Sequence, residues 1–250
     1  MVHLLPLPGA ARPASMESVL AAARRDAARL AEAGFPGLVV ENYGDTPFLP
    51  GAVAPVTVAA MARVLLAVRE EVGDLPIGVN VLRNDAASAL GLAAACGMQS
   101  IRVNVHAGAR VTDQGLLEGR AWETLRLRSS WDADAVAIWA DVRVKHSAPL
   151  GARRPISEEV AEAVERGGAD AVIVTGPGTG IAVNGDELDA VRDATAAPVL
   201  VGSGVTADTV GAILARAHGA IVGTATKEGG RTTAPVDPAR ARAVVAASGL

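Results

Sequence analysis

A carboxylate and an ammonium group stand close together in the segment IWADVRVKHSAPL (138–150). Asp141 follows an aliphatic run and closes a predicted strand, and Lys145 and His146 follow in the loop after it. A carboxylate near an ammonium group keeps both groups charged, and such a pair can transfer protons or hold a hydroxyl-rich substrate. The alternative is an ion pair that only fixes the loop. We favour catalysis for Asp141, because it stands at the end of its predicted strand.

Other polar side chains also follow short aliphatic runs. In LVVENYGDTPF (38–48), Glu41 is a candidate acid or base, whereas Asp45 belongs to a Gly-Asp-Thr-Pro turn. Asp85 is more typical of a helix cap than of a catalyst. Buried Asn and Arg need partners, which an active site supplies. The predicted catalytic residues are Asp141, Glu41, Lys145, Arg102, Asn80 and His146, and the predicted substrate-pocket residues are His3, Asn42, Asn104, His106, Thr175 and Thr179.

Two glycine-rich turns predict a phosphate site. The segments VLVGSGVTADT (199–209) and IVGTATKEGG (221–230) each run from an aliphatic strand into a Gly-containing turn. Glycine lets the backbone approach an anion closely, and the N–H groups at a helix start point towards it. The alternative is a pair of tight turns without a ligand. The predicted phosphate-binding residues are Gly202, Ser203, Gly204, Gly223, Thr224 and Lys227.

A metal site is not favoured. His3, His106 and His146 stand near strand ends, beside Glu41 and Asp141, so a divalent ion is geometrically conceivable. The sequence nevertheless has no His-x-His or His-Glu-x-x-His spacing, which is the usual zinc-binding pattern. We therefore expect that no metal and no other cofactor is required.

The elements that must position these residues alternate between strands and helices, with a strand about every 30 residues, as in βαβ units. The predicted strands are 2–5, 38–41, 77–80, 101–104, 135–141, 171–174, 198–201 and 219–223, and the helical stretches include Met16–Ala33, Val56–Val72, Ala86–Cys96, Glu158–Arg166 and Ala207–Ala215. The predicted helix caps are Ser15, Asp85, Ser157 and Thr206. A doubly wound open sheet is the alternative, but the turn after the first strand is Pro-Leu-Pro-Gly rather than Gly-x-Gly-x-x-Gly.

We predict a single α/β domain over residues 1–250, a (β/α)8 TIM barrel with its phosphate site at the seventh and eighth barrel strands. Barrel enzymes assemble their chemistry at the carboxyl ends of the strands. The candidate residues crowd these ends and are scarce at the opposite ends.

Composition limits the partners. Half of the residues are hydrophobic but only 2% are aromatic, which predicts an aliphatic core and a mouth suited to a sugar-like ligand rather than a flat ring. The net charge of −4 and the absence of a basic stripe argue against nucleic acid. Cys96 is the single cysteine. Without a visible signal sequence or spanning segment, we expect a cytoplasmic protein.

The sequence also resembles the BtpA/SgcQ family throughout its length. The motifs that carry the resemblance are VHLLPLPG (2–9), ENYGDTPF (41–48), GVNVLRNDA (78–86), IRVNVHAGA (101–109), TDQG (112–115), DVRVKHSAPL (141–150), VTGPGTG (174–180), VGSGVT (201–206) and GTATKEGG (223–230). The resemblance implies a TIM barrel with a phosphate-binding end. It further implies a link either to photosystem I biogenesis at membranes or to sugar utilisation, since different member groups are associated with each.

Two functional hypotheses follow. The first is an enzyme that acts on a small phosphorylated, sugar-like metabolite by acid–base catalysis, with isomerase, lyase or transferase chemistry. The second is a non-catalytic assembly factor for a membrane protein complex such as photosystem I, which would need an exposed docking surface. A homo-oligomer is compatible with the sequence, although no interface is identifiable from it.

Overall fold

The centre of the computed structural model is a sheet of eight parallel strands, and the structure describes residues 1–176 and 183–249. The strands in chain order are β1 (Val2–His3), β2 (Leu38–Glu41), β3 (Ile77–Asn80), β4 (Ser100–Val103), β5 (Ala109–Thr112), β6 (Gly115–Glu118), β7 (Ala137–Val142), β8 (Ser147–Pro149), β9 (Ala171–Val174), β10 (Val199–Val201) and β11 (Gly219–Ala220). All except β5, β6 and β8 belong to the parallel sheet and follow one another in chain order. The Met1 amino group donates to the Val222 carbonyl oxygen at 2.8 Å and so links the two ends of the sheet. The predicted TIM barrel is confirmed.

Helices surround this sheet and pack their apolar faces on it. They are α1 (Met16–Glu32), α2 (Pro55–Val72), α3 (Ala86–Cys96), α4 (Ala121–Ser130), α5 (Ile156–Ala161), α6 (Gly185–Asp193), α7 (Val210–Leu214) and α8 (Pro238–Ser248). In α1, Val19, Ala23, Ala27 and Leu30 recur at helical spacing and are buried. Each fully buried Val or Leu side chain stabilises the fold by about 1.5–3 kcal/mol. Three short 3-10 turns lie between a barrel strand and the next helix. One is Tyr43–Asp45, between β2 and α2, and the others are Thr224–Thr226 and Glu228–Gly230, between β11 and α8.

The register of the barrel strands brings several candidate residues into one row. His3 of β1 is opposite Glu41 of β2, and Glu41 is opposite Asn80 of β3. Asn80 is in turn opposite Arg102 of β4. Parallel strands in register place their paired residues at the same level of the barrel. His3 and Arg102, which are 99 positions apart in the chain, therefore lie at the same level at the carboxyl ends of the strands, which we call the mouth.

A second, antiparallel sheet lies beside the mouth, and sequence reasoning treated its residues as loops. Its strands β5, β6 and β8 are ordered β6-β5-β8, and we call them the flap. A tight turn joins β5 to β6, with Thr112 paired to Gly115, whose φ of 97° suits glycine. Strand β8 comes from the segment after β7, so the flap ties together the chain after two neighbouring barrel strands.

The ends of several elements differ from the prediction. Ser15 and Asp85 cap α1 and α3 as predicted, since their side chains accept from the backbone N–H groups of Ser18 and Ser88. Ser157 is not a cap, because α5 already begins at Ile156 after Pro155. Thr206 is not a cap either: a turn occupies 206–209, and α7 begins only at Val210. The strands β1 and β11 are also shorter than predicted.

The interior of the fold is aliphatic, as the composition indicates. Its largest cluster is built from Val, Leu, Ile, Ala and Met side chains of the first barrel strands and helices α1 to α3. A second cluster of the same kind lies between the later strands and α5 to α8. In the described ranges 1–176 and 183–249, no helix is long and apolar enough to cross a membrane.

Candidate functional site

Two adjoining cavities open at the mouth of the barrel. The first, which we call the glycine cavity, has a volume of about 230 Å³ and is lined by the turns 202–206 and 223–225. The second, the flap cavity, has a volume of about 380 Å³ and includes Arg83, Asp113 and His146 in its lining. Both cavities share one wall, formed by Glu41, Tyr43, Arg102 and Lys145. The register and the loops thus assemble one divided site from seven of the eight barrel strands and the segments that follow them.

The turns of the glycine cavity need glycine for steric reasons. A Cβ atom on Gly202 would lie 2.6 Å from Ile173 Cγ2, which is too close for any side chain. A Cβ on Gly223 would lie 2.9 Å from His3 Cε1. Gly204 has a φ of 70°, a conformation that other residues rarely adopt. Five of the six predicted phosphate-binding residues line this cavity: Gly202, Ser203, Gly204, Gly223 and Thr224.

Lys227 corrects the prediction. Its side chain is fully buried, and its Nζ donates to Asp26 Oδ2 of α1 at 2.9 Å instead of reaching the glycine cavity. The 3-10 turn at Thr224–Thr226 directs the following residue inwards, towards the helix layer. Arg240 of α8 lines the cavity in addition to the predicted residues, and its Nε donates to the Ala225 carbonyl oxygen at 2.9 Å. Helix α8 was not among the predicted helical stretches, and nothing in the sequence shows that Arg240 faces the cavity.

Positive charge dominates the walls of both cavities. Arg102, Lys145 and Arg240 line the glycine cavity, and Arg83 adds a fourth cation on the flap side. Glu41 and Asp113 are the carboxylates among the lining residues of the described chain. An excess of cations at a concave site attracts anionic ligands. The electrostatics and the glycine turns therefore both suit a phosphate group.

A buried polar network lies under the shared wall. Arg102 Nε donates to Asp141 Oδ1 at 3.2 Å, and its Nη2 donates to Oδ2 at 3.0 Å. Asn104 Nδ2 donates to Asp141 Oδ2 at 2.7 Å, and Asn104 Oδ1 accepts from Asn80 Nδ2 at 3.2 Å. The Asp141 side chain has no exposed surface. The structure thus places Asp141 beneath the mouth as the partner of Arg102, not at the cavity surface where Asp141 was expected.

Lys145 is held in the shared wall by its backbone. Its N–H donates to Thr175 Oγ1 at 3.1 Å, and its carbonyl oxygen accepts from Arg83 Nη2 at 3.0 Å. Burial lowers the pKa of the Lys145 ammonium, while the Glu41 carboxylate acts in the opposite direction. His146 is placed next to it and lines the flap cavity. Thr175 lies behind the glycine turn rather than in the cavity lining, with its Cγ2 3.1 Å from the Cβ position of Gly202.

His3 lies at the bottom of the glycine cavity. Its Nε2 is 3.7 Å from Glu41 Oε1, and its ring centroid is 4.9 Å from that of Tyr43. Its Nδ1 lies 3.3 Å from the Thr232 carbonyl oxygen. Burial lowers the pKa of His3 well below its ordinary value, so its ring is neutral at physiological pH. A neutral His3 beside Glu41 can exchange a proton or a hydrogen bond with a hydroxyl group in the cavity.

Two other predicted pocket residues, Asn42 and His106, are placed outside the two cavities. Asn42 is buried outside the cavities, where its Nδ2 donates to Asp45 Oδ2 and its Oδ1 accepts from the Leu82 N–H at 2.7 Å. His106 is buried against the Gly167 carbonyl oxygen, with its Nε2 at 2.8 Å, because the chain after β4 turns outwards to enter the flap. Thr179 lies outside the described residues. Asn104 does line the flap cavity, as predicted.

The described histidine, cysteine and acidic side chains do not form a group of three or more that could share a metal ion. Near Glu41 stand His3, Arg102 and Lys145, so the acid at the mouth is surrounded by nitrogen groups. The chemistry that this arrangement offers is proton transfer and anion binding.

The comparisons with known sequences extend over the whole chain. The sequence profile of the BtpA family matches residues 1–249. Photosystem I biogenesis protein BtpA from Synechocystis sp. is 42% identical over 249 residues, which cover 99% of this chain and 86% of that protein. An uncharacterized protein from Thermococcus kodakarensis is 44% identical over 246 residues, covering 98% of this chain and 92% of the relative.

Solved structures share the fold at low sequence identity. Tryptophan synthase from Mycobacterium tuberculosis superposes with a TM-score of 0.59 at 20% identity, covering 94% of this chain and 88% of the other. N-(5'-phosphoribosyl)anthranilate isomerase from Pyrococcus furiosus gives a TM-score of 0.57 at 12% identity, with 89% and 92% coverage. Likeness at these identities shows a common barrel architecture and leaves function to be inferred from the site.

Proposed function

This chain belongs to the BtpA family, and we propose that it is an enzyme acting on a small phosphorylated, sugar-like metabolite. The observation that carries the proposal is the glycine cavity. Two glycine turns on consecutive late barrel strands meet Arg102, Lys145 and Arg240 around one space of about 230 Å³. The turns after the seventh and eighth strands are the common phosphate position of TIM barrels. Hydrogen bonds to a charged group stabilise by about 1.5–3 kcal/mol each, so three or four suffice to bind phosphate.

Acid–base catalysis is assigned to the shared wall. Glu41 is the proposed acid or base, because it lines both cavities and lies at 3.7 Å from a neutral His3. Arg102 orients an oxygen of the substrate, and Asp141 holds the guanidinium of Arg102 in place from below. The aliphatic and polar lining, with Tyr43 and Phe48 as the aromatic members in the two cavities, suits hydroxyl groups better than a flat ring. Isomerase, lyase and transferase reactions all use these groups.

A thermal-shift screen of phosphosugars and nucleotides tests the phosphate site. A ligand at one hundred times its Kd stabilises the folded state by about 2.7 kcal/mol, which corresponds to a Tm increase of roughly 5–10 °C for this size. We expect phosphosugars to stabilise the protein and Gly204→Leu to abolish the effect, since Gly204 lines the cavity in a conformation that leucine rarely adopts.

The matched control is Gly73→Leu. Gly73 has a φ of 62°, close to the 70° of Gly204, but it caps the far end of α2 with nothing near its Cβ position. Both variants place leucine at a positive φ, whereas only Gly204 lines the cavity. The proposal is wrong if no anionic ligand stabilises the protein, or if Gly204→Leu retains the full ligand-induced shift.

A non-catalytic role in assembling a membrane protein complex is the second candidate. The name of the Synechocystis relative favours it, and so does an apolar patch on and beside the flap, where Val111, Leu116 and Leu150 are 41%, 49% and 63% exposed. This candidate predicts that the protein co-sediments with phosphatidylglycerol-containing vesicles, that Leu116→Glu weakens this binding, and that Asp141→Asn leaves it unchanged. Vesicle binding that is insensitive to Leu116→Glu would contradict it.

A further inference from the structure

Lysine is rare in this chain, and its placement is informative. Of the 23 basic residues, only two are lysines, Lys145 and Lys227. Lys227 is fully buried and bound to Asp26, which leaves Lys145 as the lysine at the mouth. Arginine stays protonated in proteins, whereas a lysine can lose its proton and act as a nucleophile. A chain that supplies its positive side-chain charge almost entirely through arginine thus places its one accessible lysine in the candidate site.

The surroundings of Lys145 differ from those of a structural ion pair. Among the described residues, no carboxylate oxygen lies within 4.0 Å of its Nζ. Arg83 and Arg102 stand near it in the same cavity walls. Burial lowers the pKa of this ammonium and Arg102 and Arg83 act in the same direction, whereas Glu41 and Asp141 raise it. Removal from water and the proximity of other cations are the two ways in which proteins activate a lysine amine.

The backbone around Lys145 is strained and fixed. Arg143 and His146, which flank it, have φ values of 55° and 58°, in the left-handed region that residues other than glycine seldom adopt. Hydrogen bonds from the Lys145 N–H to Thr175 and from Arg83 to the Lys145 carbonyl oxygen clamp the residue on both sides. Strain of this kind persists where the surrounding structure holds it, and it concentrates at functional sites. The loop thus holds the Lys145 backbone in one defined position at the cavity wall.

From this placement we propose that Lys145 is a nucleophile that forms an imine with the aldehyde or ketone group of the phosphorylated substrate. This inference rests on the proposed function and narrows its substrate class to phosphorylated carbonyl compounds. Lys145 lines the glycine cavity together with the turns that receive the phosphate, and it also lines the flap cavity. A substrate with its phosphate at Gly202–Gly204 therefore has its carbonyl end near the shared wall.

The step balances with the groups present in the wall. The lone pair of neutral Nζ adds to the carbonyl carbon as the C=O π bond breaks, and Glu41 carries one Nζ proton to the carbonyl oxygen, which gives a neutral carbinolamine. Nζ then loses its second proton to Glu41, which returns it to the hydroxyl group as the C–O bond breaks and that group leaves as water. The products are the imine and one water molecule, and no oxidant or reductant is consumed. The resulting imine withdraws electrons from the neighbouring carbon, which serves both isomerase and lyase chemistry.

Reductive trapping tests the proposal. The protein is incubated with glycolaldehyde phosphate, glyceraldehyde 3-phosphate, dihydroxyacetone phosphate or ribulose 5-phosphate, together with sodium cyanoborohydride, and examined by intact mass and peptide mapping. We expect one adduct per chain on Lys145 with at least one of these probes, competition by inorganic phosphate, and no adduct in Lys145→Arg. Lys145→Arg keeps the positive charge, so its thermal stabilisation by inorganic phosphate should persist.

Arg12→Lys is the matched control, because Arg12 is exposed and the variant adds a lysine outside the site. The added lysine should be trapped severalfold more slowly than Lys145 at neutral pH. Equal trapping of the two, or an adduct that persists in Lys145→Arg, would overturn the proposal. If no probe gives an adduct while the same probes raise the Tm, the imine is wrong and the phosphate site stands. If there is neither an adduct nor a Tm shift, the proposed function fails as well.

Discussion

Arg102 and Lys145 are both cations at the mouth, but they differ in how the structure holds them. Arg102 is buried but bound by Asp141 through three hydrogen-bonding contacts, and this pair keeps the guanidinium charged and fixed in direction. Lys145 is held by its backbone, and burial lowers the pKa of its ammonium. A fixed charge suits anion binding, whereas a group with a lowered pKa suits proton transfer and nucleophilic attack. The difference between these two neighbours is therefore functional as well as electrostatic.

The first prediction concerns the Arg102–Asp141 pair. Asp141→Asn leaves a buried guanidinium without its counter-charge, and breaking one side of a buried pair costs about 3–5 kcal/mol. We expect a loss of that order in urea denaturation, together with weaker stabilisation by phosphosugars because Arg102 is no longer held in place. Glu70→Gln is the control, since the Glu70–Arg24 pair is exposed and its loss should cost less than about 1 kcal/mol. Equal losses in the two variants would show that the buried pair is not a stabilising contact.

At the scale of the elements, the chain after β4 and β7 departs from a simple barrel. Strands β5 and β6 follow the former and β8 follows the latter, and the three form the flap next to the cavity that contains Arg83 and His146. Arg143 connects this region to the outer helices, with its Nε at 2.9 Å from Glu159 and its Nη1 at 2.9 Å from Glu187. The segment between β7 and β8 is thus attached to the helix layer by charge pairs.

The second prediction separates capping from catalysis at Asp85. Its Oδ1 accepts from the Ser88 N–H at 3.0 Å, so the carboxylate caps α3. Its Oδ2 accepts from the Val53 N–H at 2.9 Å and so fixes the loop before α2. Asp85→Ala should cost about 2 kcal/mol, more than the cost of about 1 kcal/mol for Ser15→Ala, which removes a simple cap. Chemical denaturation measures both costs. A fully retained phosphosugar shift in Asp85→Ala would fit capping, whereas loss of the shift in a folded Asp85→Ala would favour a role in the site.

The parts of the fold that sequence reasoning found are those in which burial is uniform. The strands β2, β3 and β9 are buried at every position, so each appears in the sequence as a short apolar run. A polar residue ends β2 and β3 and follows β9. The flap was missed because β5 and β6 are largely exposed and mix polar with apolar residues, which gives no clear period. The directions of the Lys227 and Arg240 side chains could not be predicted from the sequence for another reason. A short turn decides whether such a side chain points towards the cavity or towards the core.

At the scale of the whole molecule, several groups that are charged in water are buried in their neutral form. Burial lowers the pKa of the Met1 amino group to about 5 and lowers the pKa values of His3 and His106 as well. The unfolded chain binds protons on these groups at a pH where the folded chain does not. Acidification therefore favours unfolding, and the structure couples its stability to pH through its interior.

The third prediction is a stability that rises with pH. The Met1 amino group contributes between pH 5 and 8, because its pKa is about 5 when folded and 8.0 otherwise, and the two histidines contribute below pH 6.5. Each such group adds up to about 1.4 kcal/mol per pH unit to the free energy of unfolding. Urea denaturation from pH 5 to 8 measures the slope. His106→Asn should reduce the slope below pH 6.5 only, and a flat profile in the unaltered protein would contradict the burial of these groups.

The single tyrosine of the chain gives the mouth a spectroscopic label of its own. Tyr43 belongs to the wall between the two cavities and lies against His3, and no other residue of its type exists in the sequence. Biosynthetic incorporation of 3-fluorotyrosine therefore yields a protein with one ¹⁹F environment, located in the wall that the two cavities share. We expect its resonance to move on addition of a phosphosugar and to stay unchanged in Gly204→Leu. Occupancy of the site can thus be followed by NMR with mixtures of metabolites before any reaction is known.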